Sequence, residues 1–355
     1  MFTMAEKDRA RYPRLKKKLV RIATYGGLVV LGTSFTLPFF WLVSTSFKPA
    51  GRIQRWPPDI IPMLPITQKI EGETRKVYTI QSQDDPANKG TRVAVMKRLK
   101  GAAAVVKVLD VPDTPTRTMS MDDLEEAVRP GLQWSNYTRG LNFIDFRRQL
   151  TNTLIICAFT VLGALISCSL VAYGLSKIEW RGRNLLFMII LSTMMLPYQV
   201  IMVPMFAIFV WLGWVDTFLP LTVPAFLGNA FFIFLLRQFF LTIPKDLSEA
   251  AKLDGCTEFD IYRRVIIPLS KPALAMVGLW TFMNAWNDFL GPLIYLVDES
   301  KYTLSLGLAM FVGQYGSEYG MLMAVTTVVT IPIIILFFFT QRTFIQGMTM
   351  SGIKG

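Results

Sequence analysis

The residue types and spacings that could support chemistry are concentrated at two polar sites inside apolar runs. Asn284, Asn287 and Asp288 stand at i, i+3 and i+4, so a helix would carry all three on one face. A carboxylate at membrane depth is a candidate for function, because leaving it in lipid is costly. At about 1.5 Å per residue, Asp288 lies about 24 Å from Pro272, toward the outer membrane boundary. We therefore expect helix–helix hydrogen bonds or a place at the external mouth of a pathway for this carboxylate.

Tyr198 and Gln199, beside Pro197, form the second polar site. Hydrogen bonding between helices is the simpler expectation for them, and a place along a pathway is the alternative. The chain contains no histidine, which removes the commonest general base and metal ligand. The three cysteines follow no metal or disulfide spacing, and no G-x-x-x-x-G-K-[ST] motif is present. We predict no catalytic residue, metal or bound cofactor on this chain, and no ATP hydrolysis by it.

The composition predicts that these sites are held by membrane helices. Of the 355 residues, 52% are hydrophobic and 17% are charged, whereas soluble domains carry about 25% charged residues. A spanning helix needs about 20 apolar residues. Six runs meet this length: 24–47, 150–175, 185–211, 217–236, 272–297 and 321–341. The expected fold is an all-α polytopic membrane protein with six transmembrane helices.

Charge predicts the orientation of these helices. The net charge is +12, and basic residues beside apolar spans indicate cytoplasmic anchoring rather than nucleic-acid binding. Residues 1–23 are strongly basic, so the N-terminus is expected in the cytoplasm, and six spans return the C-terminus to the same side. Loop 176–183 is basic and expected inside, while loop 298–320 is acidic and expected outside.

The region between the first two spans is expected to form an extracytoplasmic insertion. Segments 76–80, 91–96 and 103–109 have the composition of short strands, separated by turn-rich sequence. A solvated β-containing module without its own ligand is the simpler expectation. The predicted organisation is a cytoplasmic N-terminus (1–23), a first helix (24–47), the insertion (48–149), a five-helix core (150–341) and an extended cytoplasmic tail (342–355).

A polar segment interrupts the apolar runs at residues 246–268, which we call the knuckle. Asp246 and Glu249 have the spacing of a capping box, and Gly255 is suited to end the helix that follows. Thr257 can cap a second helix, which Pro268 is expected to end. Two short cytoplasmic helices joined at a glycine are therefore predicted.

The charge of this region favours a protein partner over lipid. Six basic and five acidic residues lie between Arg237 and Lys271, whereas helices that lie on a lipid surface favour a strongly basic polar face. Ala250 and Ala251, beside Leu253, give a narrow apolar surface with charges at its rim, as expected for insertion into a partner's groove. An amphipathic helix resting on lipid is the alternative.

The order Glu249-Ala250-Ala251, then Asp254-Gly255, then an apolar run to Pro268 resembles the EAA loop of binding-protein-dependent ABC importer permeases. Further matches are Asn152-Thr153-Leu154-Ile155, Trp286-Asn287-Asp288-Phe289, Gly313-Gln314-Tyr315-Gly316 and the run 341–355. Together these segments resemble the smaller permease subunit of maltose-type carbohydrate importers. The resemblance covers about 15–50 and 134–355, and the insertion at 51–133 departs from it.

The resemblance implies a multi-pass subunit of a prokaryotic plasma membrane that works with a second permease, two ABC ATPase subunits and an extracytoplasmic solute-binding protein. ATP is then used by the partner ATPase, and a sugar is the substrate. The residues implied for ATPase coupling are Glu249, Ala250, Ala251, Leu253, Asp254, Gly255, Ile261 and Pro268. C-terminal ATPase contacts are implied for Gln346, Gly347, Gly352 and Lys354, and binding-protein contacts for Gln314, Tyr315 and Gly316. Pathway candidates are Tyr198, Gln199, Asn284, Asn287 and Asp288.

Two other functions stay open from sequence. The solute of such an importer could be a polyol or glycerol phosphate instead of a sugar. An ion-coupled secondary transporter would need titratable groups near the bilayer centre, and Asp288 is the only acid inside a predicted span. A membrane-embedded enzyme is disfavoured because histidine and paired acids at depth are lacking.

Overall fold

The structure is a computed structural model that describes residues 4–81, 88–99, 102–110, 115–313 and 316–352, with side chains left out at 4–16, 316–317 and 342–352. The chain divides into two compact units. The first comprises Met1–Arg139 and Glu318–Thr327, and the second comprises Gly140–Ser317 and Val328–Gly355.

The first unit begins with a single long helix, α1 (Met4–Ser46). Its part from Lys17 to Ser46 is long and apolar enough to cross a membrane, and no residue in its most apolar window is buried by the described chain. An apolar helix satisfies its own backbone hydrogen bonds, which is the condition for crossing lipid. The short helix α2 (Ala50–Ile53) follows it directly.

The rest of the first unit is a small antiparallel β structure, which confirms the predicted β insertion. Its strands are β1 (Met63–Pro65), β2 (Thr67–Ile70), β3 (Glu73–Ile80), β4 (Arg92–Arg98), β5 (Ala103–Val108), β6 (Arg117–Ser120), β7 (Leu124–Glu126) and β8 (Val128–Pro130). The main sheet has the order β2-β3-β4-β5-β6, with β7 also beside β3, while β1 pairs with β8. Alternate side chains of the central strands, such as Tyr78, Val93 and Val106, form its buried core.

The three strands predicted from sequence correspond to β3, β4 and β5. The remaining strands have three or four residues each and lack a clear alternation of apolar side chains. Their structure depends on the neighbour that they pair with. β6, for example, is a strand because Thr118 and Arg117 pair with Val105 and Val106 of β5.

The second unit is helical. Two of its helices, α3 and α15, begin in the first unit. The helices are α3 (Ser135–Phe143), α4 (Phe146–Ser176), α5 (Arg183–Thr193), α6 (Tyr198–Trp211), α7 (Leu219–Thr222), α8 (Ala230–Thr242), α9 (Lys245–Leu253), α10 (Glu258–Ile261), α11 (Ile267–Leu269), α12 (Lys271–Asn287), α13 (Leu290–Tyr295), α14 (Leu304–Ala309) and α15 (Tyr319–Gly352). A two-stranded hairpin of β9 (Val312–Gly313) and β10 (Gly316–Ser317) precedes α15.

Four helical segments of the described chain are long and apolar enough to cross a membrane, or up to six if each bent pair is one span. The four are Lys17–Ser46, Phe146–Ser176, Leu219–Thr242 and Tyr319–Gln341. α5 and α6 are bent by 96° at residues 194–197, and Glu258–Leu269 is bent by 80° against α12. Pro197 is the N-cap of α6, and its missing N–H removes a bond that an unbroken helix would need.

The core of the second unit forms where α4, α8 and α12 meet. Fully buried residues there include Cys168, Leu236 and Val277. Elsewhere on α4, a Cβ added at Gly163 would lie 2.6 Å from the ring of Phe226. Only glycine allows this close approach.

The expectation of an extended C-terminal tail is wrong over residues 342–352, because α15 continues to Gly352. Gly347 lies inside this helix. Each internal glycine costs about 1 kcal/mol of helix stability, but extending a formed helix adds one hydrogen bond per residue without a new nucleation step. The glycine content of residues 342–352 therefore led to too short a predicted length for the last helix.

We expect the stability of the first unit to depend on one buried arginine. Arg52 is only 4% exposed and binds both Asp59, at 2.7 Å, and Glu126, at 3.3 Å. Arg52→Ala leaves Asp59 without its hydrogen-bonded cation and leaves Glu126 with Lys76 alone, and we expect it to lower the free energy of unfolding of this unit by about 3 kcal/mol. Limited proteolysis of the membrane-inserted chain measures the effect as a faster cleavage of the insertion.

Arg55→Ala is the matched control, because Arg55 pairs with Glu125 at 3.2 Å but is 37% exposed. An exposed pair contributes little, so this variant should be cleaved at the rate of the unchanged chain. Equal cleavage of both variants would contradict a structural role for the buried arginine.

Candidate functional site

The knuckle forms two short helices, as its sequence predicts, but with different boundaries. α9 begins at Lys245 with Pro244 as its N-cap, and no side chain caps it. The capping box predicted between Asp246 and Glu249 is therefore wrong, because Pro244 is the N-cap and the helix starts two residues earlier than an Asp246 cap would place it. Gly255 follows the helix with a φ of +82°, a conformation that favours glycine.

The second helix of the knuckle does begin with the predicted cap. The backbone N–H of Asp260 donates to Thr257 Oγ1 at 3.2 Å, and that of Thr257 donates to Asp260 Oδ2 at 3.3 Å. Pro268 does not end this segment, contrary to the prediction. Residues Tyr262–Ile266 form a π-helical turn, and Pro268 lies within α11. A π-helical turn has hydrogen bonds between residues five apart instead of four. The regular pattern is therefore already altered just before Pro268, which has no N–H to donate.

The knuckle is anchored firmly to the helical core of its unit. Ile261 and Ile266 are fully buried in the cluster formed with α4, α8 and α12. Tyr173 on α4 donates its hydroxyl to Glu258 Oε2 at 2.6 Å. One helical turn away, the hydroxyls of Ser169 and Tyr262 are 2.7 Å apart. Apolar burial and hydrogen bonds together fix the knuckle to α4.

Ion pairs add to this attachment. Lys252 Nζ lies 2.6 Å from Glu258 Oε1, which joins the two knuckle helices, and its hydrogen bond to Glu258 raises the pKa of Lys252. Lys245 Nζ lies 2.9 Å from Glu179 Oε1, in the loop after α4, and its hydrogen bond lowers the pKa of Glu179. Both lysine side chains are more than half exposed, so these pairs orient the knuckle more than they stabilise it.

The outer surface of the knuckle carries apolar side chains that nothing in the described chain covers. Leu253 is 90% exposed, and Leu247, Ala250 and Phe259 are also exposed. We call these four residues the docking face. Glu249, Asp254 and Gly255 are exposed beside it, while Ala251 packs against the core. An exposed apolar patch held on a rigid support, with charges at its rim, has the composition of a protein interface.

A cavity of about 850 Å³ lies among the helices of the second unit. Its walls are mostly apolar, and it includes three of the sequence candidates, Tyr198, Asn284 and Asp288. Besides the hydroxyl of Tyr295, the polar groups of Thr160, Asn229 and Thr281 also line the cavity. Sequence reasoning missed these three, because a single amide or hydroxyl in an apolar run also occurs in ordinary helix packing.

Gln199 and Asn287 are not among the lining residues of this cavity. Asn287 donates from Nδ2 to the carbonyl of Met283, on its own helix, at 2.8 Å. Asp288 is the C-cap of α12, where its Oδ1 accepts from the N–H of Gly291 at 3.1 Å. α12 therefore ends at Asn287, which separates the side chains that an unbroken helix would have kept on one face.

The loop after α6 is held by Asp216. The N–H groups of Val297 and Asp298 both donate to its Oδ1 at 3.0 Å, and Lys301 Nζ lies 2.6 Å from its Oδ2. These hydrogen bonds lower the pKa of Asp216 to about 2. The carboxylate therefore stays ionised at any physiological pH and fastens the end of α6 to the segment after α13.

The other sequence candidates lie at the end of the chain. Gly316 pairs with Gly313 in the β9–β10 hairpin, and Gln314 and Tyr315 lie outside the described residues. Gln346, Gly347 and Gly352 are on the last turns of α15, and Lys354 lies outside the described residues. For the part of the chain that the structure describes, no cluster of His, Cys, Asp or Glu could hold a metal ion.

The second unit thus combines apolar helices long enough to cross a membrane, a partly polar cavity and an exposed docking face fixed to the same helices. Residues 149–350 match the family model described as "Binding-protein-dependent transport system inner membrane component". The match covers more than half of the chain, so this protein belongs to that family.

Among its relatives is the arabinooligosaccharides transport system permease protein of Bacillus subtilis, 38% identical over 204 residues, which are 58% of this chain and 72% of that relative. The trehalose/maltose transport system permease protein of Thermococcus litoralis is 33% identical over 224 residues, or 62% of this chain and 81% of that relative. The fold resembles a crystal structure of a bacterial ABC transporter that imports the acidic polysaccharide alginate, with a TM-score of 0.64, 22% identity and coverage of 92% of this chain and 97% of that one.

The packing of the knuckle generates a stability prediction within a single short helix. Ile261→Ala removes a fully buried side chain, and we expect a loss of about 2–5 kcal/mol of unfolding free energy. Phe259→Ala, two residues away, removes a side chain that is mostly exposed and should leave stability nearly unchanged. Thermal unfolding in detergent compares the two variants, and an equal loss in both would contradict the packing described here.

Proposed function

We propose that this chain is one of two permease subunits of an ATP-driven importer, and that it passes a carbohydrate delivered by an extracytoplasmic solute-binding protein. The family membership supports the importer class, and the names of the relatives support an oligosaccharide or related sugar. The observation that carries the coupling role is the docking face, an apolar surface exposed on a support that is buried and hydrogen-bonded to α4.

In this proposal the knuckle seats in a groove of one of two ATPase subunits. Leu253 and Ala250 enter the groove, while Glu249 and Asp254 stay at its rim. The turn at Gly255 sets the angle between the two knuckle helices. Ile261, Ala251 and Pro268 keep the inner side of the knuckle attached to the helical core. ATP binding by the partner then moves the knuckle, and the helices attached to it move with it.

We further propose a topology of six spans, with each bent pair counted once and both termini in the cytoplasm. The basic residues at 1–23 and in loop 176–183 support this orientation. The knuckle is then cytoplasmic and the β insertion extracytoplasmic. In the same orientation, residues 314–316 face the binding protein, and the C-terminal candidates Gln346, Gly347, Gly352 and Lys354 approach the ATPase.

We propose the cavity between α4, α6, α8 and α12 as this subunit's share of the solute pathway. Its volume is within the range of small-molecule sites, and its few polar groups lie among apolar and aromatic side chains. Tyr198, Phe209 and Tyr295 provide flat surfaces for the apolar faces of a sugar ring.

An importer for glycerol phosphate is the second candidate, because a relative from Shigella flexneri serotype 5b is a sn-glycerol-3-phosphate transport system permease protein, 32% identical over 214 residues. A phosphate group would require a cationic partner. The lining residues of the described cavity include no Lys or Arg and do include Asp288. This charge pattern favours a neutral sugar over an anion.

The docking face gives the main test of the coupling role. Leu253→Glu places a charge on a side chain that is 90% exposed, so the chain should insert and fold normally. Uptake by membrane vesicles should fall at least tenfold, and ATP hydrolysis should no longer respond to the solute-loaded binding protein.

Leu253→Met keeps an apolar side chain of similar size and is the matched control, with uptake close to that of the unchanged chain. Normal uptake by the Leu253→Glu variant would exclude this surface from coupling. Uptake that continues after ATP depletion, with an ion gradient intact, would instead favour the secondary transporter.

The cavity gives a second test on one helix. Asn284→Leu removes a polar lining group, and we expect a several-fold higher KM for solute uptake, because the pathway loses a hydrogen-bonding partner. Asn287→Leu changes the same residue type three positions away, at a residue that does not line the cavity, and should leave KM unchanged. Transport assays over a range of solute concentrations separate the two, and equal KM values would remove Asn284 from the pathway.

A further inference from the structure

The first unit exposes a cluster of large apolar side chains in loop 56–61, between α2 and β1. Trp56 is 87% exposed and Ile60 is 79% exposed, and Ile61 is exposed beside them. Trp134, which is also exposed, packs its ring against Phe47 with a centroid distance of 4.9 Å. In water such a cluster would favour aggregation, so its exposure indicates that something apolar covers it.

The loop is held in this arrangement by its only charged residue. The carboxylate of Asp59 turns inward to Arg52, with Oδ2 2.7 Å from Nε and Oδ1 3.1 Å from Nη2. Arg52 also contacts Glu126 on β7, so the sheet fixes the loop. The side chains left outside are those of Trp56, Pro57, Pro58, Ile60 and Ile61, none of them charged.

The loop is joined directly to the end of the membrane helix α1. The hydroxyl of Ser44, in its last turn, donates to the carbonyl of Ile60 at 2.5 Å. On another side of the same end, the N–H of Gln133 donates to the carbonyl of Phe47 at 3.0 Å. The exposed loop and Trp134 therefore lie at the end of α1, a helix whose own apolar side chains are exposed from Leu19 to Trp41.

We propose that loop 56–61 and Trp134 insert into the boundary between lipid headgroups and acyl chains and seat the β insertion on the membrane. Tryptophan is favoured at this depth because it combines a large apolar ring with one polar N–H. The occupant of the surface is lipid rather than a protein, because the loop is hydrogen-bonded to the last turn of a helix that can span the membrane and carries no outward charge to select a partner. This inference does not depend on the solute or on the coupling role of the knuckle.

Spin labels in the full chain test the proposal directly. Labels are placed by Ile60→Cys and Trp134→Cys, and by Lys97→Cys on β4 as the solvent control, in a chain with Cys256→Ala. Cys157 and Cys168 are buried and should react slowly. The chain, with the subunits that copurify with it, is reconstituted in phosphatidylcholine–phosphatidylglycerol vesicles.

For each spin label, the collision rate with oxygen, which concentrates in lipid, is compared with the collision rate with a water-soluble nickel complex. We expect labels at 60 and 134 to collide several-fold more with oxygen than with nickel, and the label at 97 to show the reverse. High nickel access at 60 would overturn the proposal, because the loop would be in water. Low access to both reagents would also overturn it, because protein would cover the loop.

A charge on the loop gives an independent measurement. At the Trp134→Cys label, Ile60→Asp should raise the ratio of nickel to oxygen collisions several-fold, because a carboxylate draws the loop out of the lipid. Leu99→Asp, at an exposed leucine of the β4–β5 connection, is the control and should leave that label unchanged. No shift with Ile60→Asp would contradict membrane seating by this loop.

Discussion

The packing of Ile261 and Ile266 into the cluster between α4, α8 and α12 is the contact on which the functional parts of the chain depend. It fixes a polar segment to apolar helices that otherwise face lipid, and the hydroxyls of Ser169 and Tyr173 complete the attachment on α4. Because the inner side of the knuckle is committed to this core, its outer side is free to present Leu253. The exposure of the docking face is therefore a consequence of buried packing.

The second unit combines this rigid joint with two sharp bends. α5 and α6 meet at 96° and the knuckle segment meets α12 at 80°, so backbone groups at the breaks need partners that an unbroken helix supplies by itself. Both α6 and α12 contribute to the cavity, through Tyr198 and Asn284. The polar wall of the cavity thus coincides with helices whose regularity is interrupted.

The sequence was sufficient for the features that arise from local physics. Apolar length gave the long helices, alternation gave β3, β4 and β5, and Thr257 gave the start of α10. It was insufficient where tertiary contacts decide. The start of α9, the π-helical turn before Pro268 and the extension of α15 to Gly352 all depend on neighbouring structure. In the same way, the prediction of one polar face shared by Asn284, Asn287 and Asp288 failed because α12 ends at Asn287.

α4 runs without a break from Phe146 to Ser176 and meets the knuckle at Tyr173 and the cavity at Thr160. These two positions are 13 residues apart, which is about 20 Å along the helix axis. A stiff rod of that length turns a tilt of about 3° at one end into a displacement of about 1 Å at the other. In the proposed importer, α4 would therefore act as a lever arm, so that a small movement of the knuckle would change the width of a cavity that the knuckle does not touch.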